Sequence, residues 1–77
     1  MLNEIITTDY INNNAEVTMT NPYTDDNASL IWCKDENEFI IVYWTETWDG
    51  IETEIESTGT DNQDKLEEDL YKQGYIY

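Results

Sequence analysis

Apolar positions recur along the chain in two periods, and the switches between them predict the elements. Residues 2–11 (LNEIITTDYI) set Leu2, Ile5, Ile6 and Tyr10 on one stripe at helical spacing, which predicts a short helix despite the poor helix-forming pair Thr7-Thr8. Asn12-Asn13-Asn14 predicts a turn, because Asn accepts left-handed backbone and bonds its own main chain. Residues 16–20 (EVTMT) alternate, predicting a strand with Val17 and Met19 inward. Asn21-Pro22 and Asp25-Asp26-Asn27 predict a loop. Two stronger strands follow at residues 28–34 (ASLIWCK) and 39–48 (FIIVYWTETW), joined by Asp35-Glu36-Asn37-Glu38. Read as a four-residue hairpin loop, that join sets Lys34 opposite Phe39 and Trp32 opposite Ile41.

Asp49-Gly50 predicts a two-residue type I′ turn, which pairs Trp48 with Ile51, Glu46 with Thr53 and Trp44 with Ile55. In that register Ile40, Val42, Trp44, Trp48, Ile51 and Ile55 share one face, the expected core face. Thr45, Thr47, Glu52, Glu54 and Glu56 share the other. Phe39, Ile41 and Tyr43 make the middle strand apolar on both sides near its start, so it is expected to be central, with a helix on one side and aromatic or partner contact on the other. Residues 61–73 (DNQDKLEEDLYKQ) predict a helix capped by Asp61 and stopped by Gly74, with Leu66 and Leu70 inward and Glu68–Lys72 an outer pair. Tyr75-Ile76-Tyr77 is a candidate edge strand. The predicted class is α+β: a three- or four-stranded antiparallel β-meander with one or two packed helices, in a single small domain over residues 1–77.

Charge changes this picture most. Eighteen Asp and Glu stand against three Lys and no Arg, a formal charge of −15 in 77 residues. Low hydrophobicity with such charge ordinarily means disorder, but ten aromatics (three Trp, six Tyr, one Phe) point to a folded domain. A chain this short buries only roughly 60% of its unfolded surface, so a multidomain enzyme is excluded. The lack of cations argues against direct binding to nucleic acid or to an anionic membrane. Its expected partner is basic. With no signal or spanning segment at its start, a cytoplasmic location is expected, and the match Asn27-Ala28-Ser29 to a glycosylation acceptor is read as chance.

Catalytic chemistry is sparse. There is no His, the commonest general acid or base near neutral pH. Cys33 stands alone, and in an apolar strand it is expected to be a buried, inert thiol. No Gly-rich phosphate loop occurs. Residues 25–36 place oxygen-bearing side chains at calcium-loop positions 1, 3, 5 and 12, but Leu30 stands where that loop needs Gly. No enzyme activity, metal or cofactor is expected.

The distribution of acids remains. Glu52, Glu54 and Glu56 alternate along one strand, about 6.8 Å apart on one face at twice the rise per residue, near the spacing of phosphates in an extended nucleic-acid strand. Acidic turns stand around the row at Asp25 and Asp26, at Asp35, Glu36 and Glu38 and at Asp49, with Glu46 on the neighbouring strand, and Asp64, Glu67, Glu68 and Asp69 with Tyr71 stand on the last helix. Any one of these acids suits an ordinary solvated face. Fifteen unbalanced charges exceed what solubility needs and cost stability through self-repulsion. Tyr23, Tyr43, Tyr71, Tyr75 and Tyr77 cannot all be interior, and exposed Tyr beside carboxylates suits an interface that receives Arg.

In length, acidity, absence of Arg and acidic strand rows such as Glu52-Thr53-Glu54-Ile55-Glu56, the chain resembles the small acidic nucleic-acid-mimic inhibitors of phages and mobile elements, several anti-CRISPR proteins among them. The resemblance implies a stoichiometric inhibitor that occupies the nucleic-acid-binding surface of a host defence nuclease or surveillance complex, with a CRISPR effector the leading target. An inhibitor of a restriction or DNA-repair enzyme, and a non-mimic acidic subunit of a basic host protein, are the alternatives. The expected oligomeric state is a monomer or small homo-oligomer. The candidate partner-binding residues come from the charge map: Glu46, Asp49, Glu52, Glu54, Glu56, Asp35, Glu36, Glu38, Asp64, Glu67, Glu68 and Tyr71.

Overall fold

A computed structural model describes residues 7–77. Helix α1 (Thr8–Asn14) is followed by β1 (Ala15–Thr20), β2 (Asn27–Cys33), β3 (Glu38–Thr47), β4 (Gly50–Ser57) and helix α2 (Gln63–Lys72). The strands form one antiparallel sheet in the order β1-β2-β3-β4, an α+β meander as expected. No helix among the described residues is long and apolar enough to cross a membrane.

The N-terminal helix departs from its predicted bounds. Leu2, Ile5 and Ile6 lie outside the described residues. The Thr7 side chain accepts the Tyr10 amide at 3.1 Å and caps a helix starting at Thr8, a use of Thr that suits a helix entrance better than an interior. Asn12-Asn13-Asn14 is the last turn of α1 rather than a separate turn. The Asn14 amide returns to the Tyr10 carbonyl at 2.8 Å.

Both hairpins close two residues away from the predicted register. Across β2 and β3, Trp32 faces Phe39 and Cys33 faces Glu38, because Asn37 takes left-handed backbone (φ 55°), which Asn tolerates, and ends the loop one residue early. Across β3 and β4, the turn is Trp48-Asp49 and Thr47 pairs with Gly50. The Thr47 hydroxyl binds Asp49 Oδ1 at 2.8 Å and the Gly50 carbonyl at 3.2 Å, holding Gly50 at φ 143° as the first residue of β4. Neither Trp48 nor Asp49 adopts the positive φ of a type I′ turn. A slip of two preserves which face each side chain takes, where a slip of one would reverse it.

The core is divided between the two faces, and its larger part is on the face not expected to carry it. Met19, Ala28, Leu30, Phe39 and Ile41 form a cluster with Leu66 and Leu70 of α2 and with Tyr75. On the other face, Ile31, Val42 and Trp44 pack against Ile11 of α1. Trp48, expected in the core, is 97% exposed at its turn, and Ile55 is 42% exposed. The cores differ in size because α2 brings two Leu at i,i+4 and the segment after it, whereas α1 contributes one buried Ile.

Helix α2 starts later than predicted, since Asn62 rather than Asp61 caps it by accepting the Lys65 amide at 3.1 Å. Its exit is a Schellman turn: the Tyr75 amide reaches the Leu70 carbonyl and the Gly74 amide the Tyr71 carbonyl, both at 3.0 Å. Gly74 has φ 104°, and a Cβ there would come within 3.2 Å of the Asn21 side chain. The turn points Tyr75 into the core. Ile76 then exchanges two backbone bonds with Thr20 at 2.7 and 2.8 Å, so the candidate C-terminal strand is a single bridge on the β1 edge.

Ser29 is buried between the layers. Its hydroxyl accepts the Trp44 indole N–H at 2.9 Å and lies 2.7 Å from the Thr18 hydroxyl, which satisfies the one polar atom Trp44 brings inside.

Candidate functional site

The site is assembled from β4 and the strip of β3 beside it. Residues 50–57 (GIETEIES) alternate Glu with Ile or Thr, and the register sets Glu52 opposite Thr45, Glu54 opposite Tyr43 and Glu56 opposite Ile41. These residues lie on the face that carries α2. No residue of β4 belongs to the larger core cluster, so the helix covers the inner strands and leaves the Glu row in solvent.

Behind the row runs a shallow groove. One part, about 380 Å³, is lined by Asp26, Tyr43, Glu54, Ile55, Glu56 and Tyr75. A second, about 200 Å³, continues past Glu52, Thr45 and Thr53 and shares Asp26, Tyr43 and Glu54. Tyr43 and Tyr75 form the floor, their ring centroids 6.0 Å apart. Burial raises the pKa of both phenols, reinforced at Tyr43 by Glu56, Tyr75 and Glu54 and at Tyr75 by Asp26. The result is a strip of carboxylates over neutral aromatic rings, which suits a guanidinium or ammonium group that pairs with acids and lies on a ring.

A titration checks this arrangement. A phenol with raised pKa contributes stability that is whole below its unfolded value of about 10 and is lost as pH rises through the folded value. Ultraviolet absorbance is expected to resolve a late-ionising fraction of the tyrosines, and Tyr43→Phe is expected to remove part of it. An unchanged late fraction in that variant places Tyr43 away from the acids.

The other candidate acids are not gathered here. From Glu38 to Thr47, β3 runs nine steps, about 30 Å at its usual rise, so Asp35, Glu36 and Glu38 lie at the opposite end of the hairpin from Asp49. That is several times the Debye length of about 8 Å in physiological salt, and the two groups do not share a field. Glu46 pairs with Ile51 on the α1 face. Glu38 is engaged internally, accepting the Gly59 amide at 2.8 Å and the Ser57 hydroxyl; these bonds, Ser57 first, lower its pKa. Glu67 accepts the Gln63 amide at 2.7 Å and the Tyr77 hydroxyl, and Glu68 pairs with Lys72 at 3.2 Å. Asp64 and Tyr71 are exposed on α2.

Three residues of the groove, Asp26, Tyr43 and Tyr75, stand outside the candidate partner-binding set, although the sequence places Asp26 among the acidic turns and both Tyr among those suited to an interface. Asp26 sits in what reads as an ordinary acidic turn, and Tyr43 and Tyr75 reach the groove only through the β3 register and the Schellman turn. The number of tyrosines and the place of Tyr43 among strand apolars are the signals that mark it in advance.

Cys33, expected to be buried, is half-buried at the end of β2. Residues 25–36 cannot close on an ion as a loop, because Asn27–Cys33 is strand β2 and its side chains alternate between faces. Among the described residues no group of three or more Cys, Asp or Glu is placed to hold a metal ion. Comparison of the chain with protein-family models, with curated proteins and with solved structures finds no match.

Proposed function

We propose that this chain is a binding protein rather than an enzyme, a stoichiometric inhibitor that lays its acidic face over the nucleic-acid-binding surface of a basic protein. The observation that carries the reading is the row Glu52, Glu54 and Glu56 on an uncovered strand. Both Lys–carboxylate pairs among the described residues are on α2, Lys65–Asp69 and Lys72–Glu68, so neither engages the row. Carboxylates about 6.8 Å apart in a line offer a basic channel what successive phosphates offer it. The net charge of −15 adds long-range steering toward such a surface.

CRISPR effectors combine Arg side chains that read the PAM with a positive heteroduplex channel, and they are the leading target class. Restriction and DNA-repair nucleases come next. The test is a pull-down from lysates containing these enzymes, identification by mass spectrometry, and challenge of the captured complex with duplex DNA. Mimicry requires DNA to release the captured protein and nuclease activity to vanish at a fixed molar ratio. A stable ternary complex with DNA overturns it and leaves a non-mimic partner subunit.

A further inference from the structure

We propose that β4 is a docking edge that accepts an extended basic segment of the partner as a fifth, antiparallel strand, with Lys or Arg at alternate positions and apolar residues or Thr between them. This rests on the reading of the acidic face as a protein-binding surface, and adds the mode of docking and the chemistry of the segment.

The two edges of the sheet are built differently. The β1 edge is interrupted by a register shift between Ala15 and Val17 and is bridged at Thr20 by Ile76, both devices that blunt an edge. Among the described residues the β4 edge has neither. Its ladder to β3 runs unbroken from Ile40↔Ser57 to Thr47↔Gly50.

The Thr58 amide donates to the Phe39 carbonyl. In an antiparallel ladder the bonded pairs alternate, so Glu52, Glu54 and Glu56 direct their backbone groups inward to β3, and Ile51, Thr53 and Ile55 direct theirs outward. An added strand therefore bonds to Ile51, Thr53 and Ile55 and sets its apolar residues opposite them. Its remaining side chains face the Glu row.

Charge complementarity selects the occupant. Antiparallel pairing of β4 with a second copy sets outward-bonding residues against each other, and hence Glu against Glu, in every register in which the two Glu rows overlap. Like charges directly opposite are destabilising. A basic strand reverses the sign of the same contacts, and the half-exposed Ile55 gains an apolar neighbour.

The probe is a blocked eight-residue peptide alternating Lys with Val, titrated into isotope-labelled protein. The Ile51, Thr53 and Ile55 amides are expected to shift and to gain protection from hydrogen exchange. Thr53→Pro removes one outward donor while sparing the ladder to β3, and is expected to weaken binding about tenfold. N-methylation of the peptide's Val amides is expected to abolish binding, and N-methylation of its Lys amides to leave it, with the protein itself unaltered. Equal binding of a peptide with its Lys residues in one block, indifference to which amides are methylated, or self-association through β4 without peptide would overturn the proposal. These outcomes are independent of DNA competition. Strand addition without release by DNA retains the docking mode and removes mimicry, and release by DNA with Thr53→Pro unaffected does the reverse.

Discussion

Replacing Glu52, Glu54 and Glu56 together with Lys is expected to slow association with the captured target about 100-fold at low ionic strength and to flatten its salt dependence. The variant changes the net charge by 3 × 2, from −15 to −9, but reverses the charge along a strip that stands exposed beside α2. A uniform loss of charge weakens steering modestly, whereas reversal along the contact line adds repulsion at the point of docking. Stability is expected to hold or rise, since no ion pair among the described residues involves the three Glu and their mutual repulsion is relieved. Association kinetics at two salt concentrations, with urea unfolding as the control for folding, make the measurement. If the triple variant binds unchanged while Tyr71→Ala abolishes binding, the exposed face of α2 is the contact and the Glu row is not. Tyr71 serves as that probe because it is 66% exposed, whereas Tyr75 is a core residue at 7%.

Leu70→Ala is expected to cost about 2–5 kcal/mol of folding stability, the range for truncating a buried Leu. A 77-residue domain at about 0.05–0.15 kcal/mol per residue has roughly 4–12 kcal/mol in all, so the loss is a large fraction of the total. Leu70 is 1% exposed at the centre of the larger cluster, and its carbonyl anchors the turn that seats Tyr75. Truncation leaves a void between α2 and the sheet and loosens the groove floor with it. Urea unfolding followed by tryptophan fluorescence gives the number. A cost below about 1 kcal/mol, the level of an exposed ion pair such as Glu68–Lys72, contradicts the seating of α2 on Met19, Leu30 and Ile41.

These effects also separate what the fold requires from what the site requires. Among the described residues, the acidic row lies on an edge strand that contributes only Ile51 to a core, as a half-buried neighbour of the smaller cluster. Its side chains can change sign without opening a cavity. The groove floor is different, because Tyr43 and Tyr75 are shared between core and site, and disturbing either reaches both.

The shared face of the Glu row is legible in the sequence because alternation survives any even slip of register. How the remaining acids group is not, since their separation along the sheet and the internal bonds of Glu38 and Glu67 depend on where the hairpins close. Glu38 reads in sequence as a loop acid. In the fold it is the first residue of β3, tied to the Ser57–Gly59 segment.

Local patterning by itself determined the four strands, the C-terminal helix and the sharing of one face by Glu52, Glu54 and Glu56. Period-two alternation and the Leu66–Leu70 spacing are properties of neighbouring residues. Tertiary structure decided the hairpin registers through the left-handed backbone of Asn37 and the Thr47 hydroxyl contacts, and with them the exposure of Trp48. It also decided which face carries the larger core. β3 is apolar on both sides, so its own pattern favours neither face, and the deciding surface is what α2 and Tyr75 bring from elsewhere in the chain.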